Sequence, residues 1–318
     1  MKKTLSLATI IGLVLLIVGF AFSSPVFAWS QSTHAYVAKK CLGIEHKYLL
    51  NYNARLGCIV PDFFWHLRDS KRIDQETAEK LHGDTTEPCV VLGDTTYFYE
   101  IAQGRLRPWQ YLLKFFPEGI KTHVYADIIA HNGVDGYLEG PGMWVDTLLD
   151  EMGLEGEDRA AFREAAHLAI EFSVDALVVH DSGLQLADLF FCNRQADLLE
   201  EAVWVALGDN PGFDVNLEFK KFLGLVRALE KAAAVYAPYL ISSAMDGNST
   251  ADFDIEPLME AQRELSEESL DLYTKVFMIL LGHPQKIYET ITAEGMDWEE
   301  ALNKAIDFCK SPGVCPTE

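Results

Sequence analysis

His123, Asp127 and His131 stand four residues apart in His123-Val124-Tyr125-Ala126-Asp127-Ile128-Ile129-Ala130-His131, with mostly apolar residues between them. Four-residue steps on an α-helix bring side chains to one face, so a helix here carries imidazole, carboxylate and imidazole in one stripe. A second pair, His167 and Glu171, repeats the step inside another apolar stretch. Burying a lone carboxylate is costly, and a bound cation offsets that cost. Imidazoles and carboxylates with no thiolate beside them favour Zn2+, and a carboxylate with a histidine on either side can bridge two ions.

Helices must present these residues. Helix-period patterns recur at His34 to Leu42, Glu118 to Gly133, Gly142 to Met152, Asp158 to Val179, Ala187 to Leu207, Val215 to Tyr236, Glu256 to Leu281 and Trp298 to Cys309. Strand-like alternation is scarce, so the expected fold class is all-α, a multi-helix bundle. Pro117, Pro141, Gly183, Pro211, Pro238 and Pro284 fall in or near the gaps, which suits short connections. Two such helices facing each other build a closed site from five side chains. Residues between Val60 and Leu106 read as the longest irregular stretch, and functional loops tend to be long. No linker, low-complexity tract or repeat divides 29–318, which reads as one domain: a metal site in 29–180, then additional helices in 185–318 that hold no legible motif.

Of the 318 residues 49% are hydrophobic, enough for a sizeable core, and 48 Asp+Glu against 26 Lys+Arg give a formal charge of −22. That surface repels a long nucleic acid. With no basic cluster in the sequence, a phosphate ligand needs positive charge from bound metal ions. Lys2 and Lys3, the apolar run Leu5 to Phe22 and the ending Val26-Phe27-Ala28 read as a cleavable secretory signal over 1–28, with an uncleaved anchor as the alternative. A secreted or periplasmic location follows. There Cys41, Cys58, Cys89, Cys192, Cys309 and Cys315 are expected to form disulfides, and the Ser311-Pro312-Gly313 turn suggests a local Cys309–Cys315 pair.

Three further segments complete a pattern: Trp29-Ser30-Gln31-Ser32-Thr33-His34, Leu56-Gly57-Cys58-Ile59-Val60-Pro61-Asp62, and Leu81-His82-Gly83. With them the sequence resembles the zinc-dependent phospholipase C family, related in fold to the single-strand-specific zinc nucleases, over roughly residues 29–180. The resemblance implies a helical fold of that type with three zinc ions at the bottom of a cleft. It assigns the first ion to Asp62, His82, His123 and Asp127, and the second to His131, His167 and Glu171. The third falls to the free amine and carbonyl of Trp29 with His34 and Asp127, so that Asp127 bridges two ions. His66 is a rival to His82, and Asp62 after Pro61 is also a plausible helix N-cap. The step from Trp29 to His34 is nuclease-like, whereas the HxxxDxxxH spacing and the Gly-x-x-x-Pro-Asp segment are phospholipase-like.

Clustered divalent cations polarise phosphoryl oxygens and make hydroxide available near neutral pH, which points to phosphodiester hydrolysis with Asp62 as the base that orients the attacking water. The expected enzyme is a phospholipase C acting on glycerophospholipids or other small phosphodiesters, with transient contact to a membrane surface. Phe63, Phe64, Phe98 and Tyr99 offer aromatic faces to a quaternary ammonium head group or a base. No acidic residue lies between Trp29 and His34, a departure from choline-preferring phospholipases. The alternatives are a secreted zinc nuclease or nucleotidase and a non-catalytic, zinc-stabilised surface-binding protein. His180-Asp181-Ser182 cannot form a triad from adjacent positions and lacks a Gly-x-Ser-x-Gly elbow. His46 and His283 read as ordinary, and Asp175, four residues beyond Glu171, is placed to orient a ligand.

Overall fold

The computed structural model describes residues 31–43, 48–83, 97–132, 143–183, 191–246 and 270–311, apart from 109, 192, 209 and 296. The signal segment, Trp29, His46, Cys89, Cys192 and Cys315 therefore lie outside the described residues. The chain forms α1 (Gln31–Cys41), α2 (Tyr48–Gly57), α3 (Val60–Asp69), α4 (Gln75–His82), α5 (Tyr97–Arg105), a 3-10 turn (Tyr111–Lys114) and α6 (Phe115–Asn132). It continues through α7 (Trp144–Glu151), α8 (Gly156–Ser182), α9 (Asn193–Leu207), α10 (Val215–Asp246), α11 (Leu270–Gly282), α12 (Pro284–Ile291) and α13 (Trp298–Lys310). The fold is an all-α multi-helix bundle with no strand among the described residues. None of the described helices is long and apolar enough to cross a membrane.

The expected irregular stretch from Val60 to Leu106 is instead largely helical where it is described. Pro61 sits in the first turn of α3, where its missing N–H costs nothing. Asp74 caps α4 by accepting a 2.8 Å hydrogen bond from the Thr77 amide. Two further boundaries differ. Pro238 does not end its helix: α10 runs on to Asp246, with Tyr236, Ala237 and Leu240 buried on either side of the proline. Pro284 opens α12 at its N-terminus. The expected helix from Glu256 is described only from Leu270.

Apolar burial divides into two clusters. One gathers Ala35, Ala38, Leu56, Phe63, Phe64, Phe98, Phe116, Phe219 and Phe222 from α1, α2, α3, α5, α6 and the first half of α10. The other gathers Val37, Ile128, Ile129, Trp144, Ile170, Tyr236 and Trp298 from α1, α6, α7, α8, α10 and α13. α1 and α6 contribute to both, and α1 packs against α6, α8 and α13. The histidines and acids of α1, α6 and α8 thus lie among apolar side chains that cannot satisfy them. The helices beyond residue 185 supply much of that second cluster through Tyr236, Leu240, Ile279 and Ala301.

Candidate metal centre

The closest helix crossing fixes the first ligand. At Gly57 on α2, an added Cβ would stand 1.9 Å from the Phe116 carbonyl oxygen, and at Gly119 on α6 it would stand 2.1 Å from that of Ala54. Two glycines let these backbones touch, which brings the Cys58 carbonyl oxygen to 2.6 Å from His123 Nδ1. A carbonyl only accepts, so Nδ1 carries a proton and Nε2 is the ring nitrogen left for another partner. Nε2 turns toward the interior, as in histidines whose outer nitrogen is held for metal binding.

Four side chains of metal-ligating type converge there. His123 Nε2 lies 3.2 Å from His82 Nε2 and 3.2 Å from Asp127 Oδ2, and His82 Nε2 lies 3.3 Å from the same oxygen. Asp62 Oδ1 stands 3.7 Å from both imidazole nitrogens. In a tetrahedron with bonds of about 2.0–2.1 Å the donor atoms are about 3.3 Å apart, so these edges have the size of one coordination shell. Asp127 presents its other oxygen elsewhere: Oδ1 is 3.1 Å from His34 Nε2, and the His34 ring stacks on His123 at 3.7 Å between centroids. One carboxylate therefore has His82 and His123 at one oxygen and His34 at the other.

The second stripe lies on α8. His167 Nε2 is 2.8 Å from Glu171 Oε1, and the His131 ring of α6 meets the His167 ring edge-on at 5.4 Å. His131 thus lies near the His167–Glu171 pair, but the donor atoms of these three do not close to the spacing of one coordination shell as those around His123 do.

Burial and charge make the fit to a cation specific. His34, Asp62, His123, Asp127 and Glu171 are each at most 1% exposed. Both oxygens of Asp127, Oδ1 of Asp62, Oε1 of Glu171 and both nitrogens of His34 are buried without a hydrogen bond. Native interiors rarely leave such groups unsatisfied. Burial works to raise the Asp127 carboxyl, but the His123 and His34 imidazoles outweigh it and hold the group well below the usual carboxylate range. Burial pushes Glu171 well above that range, and repulsion from Asp127, Asp62 and Asp175 adds to it against the pull of His131. An ion would supply the charge these acids lack. The buried His/Asp groups could hold a metal ion: His34, Asp62 and His123 form one set, and His82, His123 and Asp127 another.

A further contact positions α1. Asp175 on α8 accepts hydrogen bonds from the Thr33 amide at 2.6 Å, the Thr33 hydroxyl at 2.8 Å and the Ser32 amide at 3.3 Å. This carboxylate satisfies the open first turn of the helix that carries His34. Gln31 Nε2, one turn before His34, donates to Asp62 Oδ2 at 3.3 Å. Neither Gln31 nor the Cys58 carbonyl is legible as a site group, since each acts through a partner distant in the chain. Trp29 lies outside the described residues, two positions before Gln31.

Several expectations are corrected. Asp62 lies inside the first turn of α3, after Ile59 at the N-cap position, and makes no capping hydrogen bond. Of the two rivals, His82 sits among the ligands, whereas His66 lies against Phe63 and Phe222, at 6.2 and 5.6 Å between centroids. Phe63, Phe64 and Phe98 are buried core, with Phe64 edge-on to Phe98 at 4.6 Å and Phe63 edge-on to Phe219 at 5.0 Å, so they present no face to a ligand. Tyr99 lies on α5, not on a loop, and its hydroxyl bonds Glu118. His180 pairs with Asp181 at the surface. Comparison with protein-family models, with curated proteins and with solved structures gives no match for this chain.

Proposed function

We propose that the protein is a zinc-dependent phosphodiester hydrolase of the phospholipase C type with a trinuclear site. The observation that carries this reading is the two-sided Asp127 carboxylate, with Oδ2 toward His82 and His123 and Oδ1 toward His34. Asp62, His82, His123 and Asp127 would hold one ion, His131, His167 and Glu171 a second, and His34 with Asp127 and the Trp29 terminus a third. When bound, such ions polarise phosphoryl oxygens and lower the pKa of water.

The chain's own groups supply the rest. Asp62 would hold the ion through Oδ1, the oxygen toward His82 and His123, while Gln31 steadies Oδ2, the oxygen that would orient the attacking water and take its proton. Cys58 fixes His123, and Asp175 fixes the turn that delivers His34. The apolar residues of α1, α6 and α8 exclude bulk water from the acids and strengthen every charge interaction inside. Small phosphodiesters, glycerophospholipids first among them, suit a chain whose formal charge of −22 repels long nucleic acid.

Metal analysis combined with three assays tests this. Phosphocholine or another phospho-head group released from phospholipid vesicles, with three zinc ions per chain, is the expected outcome. Nucleotides released from single-stranded DNA would favour the nuclease reading instead. Bound zinc with neither product would mark a non-catalytic, zinc-stabilised protein.

A further inference from the structure

Cys41 ends α1 and Cys309 lies in the last turn of α13. The two helices pack against each other and bring the two side chains within interaction range, although Cys41, Cys58 and Cys309 are free thiols here rather than members of the expected disulfides. Cys309 is buried, with its Sγ 3.7 Å from the Thr122 carbonyl oxygen of α6, while Cys41 is only half-buried. The surroundings treat them oppositely. The neighbouring Cys309, with help from Lys310 and Lys121, holds the Cys41 thiol below its ordinary range despite burial, and burial pushes Cys309 well above it. One sulfur is ionisable and reachable from solvent. The other is protonated, shielded and in contact with the first. That is the layout of an attacking and a resolving thiol.

We propose that Cys41 and Cys309 form a disulfide that fastens α1 to α13 behind the metal centre. The oxidant is a low-molecular-weight or protein disulfide. The Cys41 thiolate attacks one of its sulfurs, the S–S bond of the oxidant breaks, and one thiolate leaves and takes up a proton. Cys309 then gives up its proton and attacks the Cys41 sulfur, which expels the second thiolate. Two protein thiols are oxidised to one disulfide, and the oxidant is reduced to two thiols. Because α1 carries His34 and both helices pack on α6, the bond ties the His34 helix to the helix pair behind His123. It also closes a loop spanning most of the chain, which restricts the unfolded state strongly.

The test uses the full, zinc-loaded chain equilibrated with oxidised glutathione, then denatured, alkylated and digested with trypsin without reduction. Cleavage after Lys40, Lys47, Lys304 and Lys310 leaves Cys41 on the 41–47 peptide, Cys309 on 305–310 and Cys315 on 311–318. The expected product is 41–47 joined to 305–310, and it persists in Cys315→Ser. Peptide 305–310 joined to 311–318, or recovered alkylated, overturns the proposal. A phosphine reductant should lower the Tm of the wild type by roughly 5–10 °C more than that of Cys41→Ser, a variant at a half-buried position. Equal shifts in the two proteins would remove the stabilising role.

Discussion

The Cys58 carbonyl oxygen lies 2.6 Å from His123 Nδ1, and this one hydrogen bond decides which edge of the imidazole is left to face Asp127. It exists because α2 and α6 touch through Gly57 and Gly119. The Gly-x-x-x-Pro-Asp segment therefore has two jobs five residues apart. Gly57 admits the partner backbone, and Asp62 enters the site from the first turn of the next helix.

Gly57→Ala should be costly, because its Cβ would meet backbone at 1.9 Å, which no rotamer change can relieve. The helices must separate, at a cost of about 1–3 kcal/mol typical of overpacking. Separation also pulls Cys58 from His123, so zinc affinity should fall by about 10–100-fold, as for other lost partners of metal-binding histidines. Denaturant unfolding and competitive zinc titration measure the two effects. A variant with wild-type affinity would show that the Cys58 contact does not tune the site.

Asp127→Asn replaces a carboxylate that faces His34 with one oxygen and His82 and His123 with the other by a neutral amide. We expect it to lose more than one zinc ion per chain and to abolish phosphodiester turnover. Loss of one ion alone would mean that Asp127 serves a single site and that His34 belongs to none.

Chelation should lower the melting temperature as well as remove activity. Asp62, Asp127 and Glu171 would then be buried together with no metal charge among them, and binding to the native state alone stabilises it by mass action. Calorimetry with and without a chelator, followed by readdition of zinc, checks this. An unmoved transition would place any bound metal at the periphery.

What the sequence discloses of this site is its local part. The His123, Asp127 and His131 stripe and the His167–Glu171 pair are legible because helical period alone puts them on one face. The place of His82 is not, because it depends on α4, whose start is signalled only by Asp74 and Thr77. Phe63, Phe64 and Phe98 read as ligand-facing because their partners Phe219 and Phe222 come from a helix more than a hundred residues away. The contact between Asp175 and Thr33 spans 142 residues and leaves no trace in either local pattern.

Asp175→Asn tests that long contact. An amide offers one acceptor oxygen where the carboxylate offers two, and it removes a negative charge from the N-terminus of α1. Stability should drop by about 1–2 kcal/mol, in line with lost helix caps. Since Asp175 positions α1 and holds no ion itself, the variant should keep the His131, His167 and Glu171 ion and bind the His34 ion more weakly. Stepwise zinc titration separates these. Uniform weakening at every site would show a purely structural role.

His66 gives a prediction about pH. Burial among Phe63 and Phe222, together with Lys221, lowers its pKa from 6.5 to about 4, although Glu218 pulls the other way. Between these values the unfolded chain binds more protons than the native one, so this residue's contribution makes stability rise with pH from about 4 to 6.5. The effect is at most about 3–4 kcal/mol. His66→Leu keeps the apolar contacts and removes the titrating group. All other titrating groups act alike in both proteins, so the difference between the two stability curves isolates His66. The variant should lose less stability on acidification, with the difference opening below pH 6.5 and levelling off at its full size below about 4. Parallel curves across that range would mean that His66 is solvated, or bound to a partner, in the folded protein.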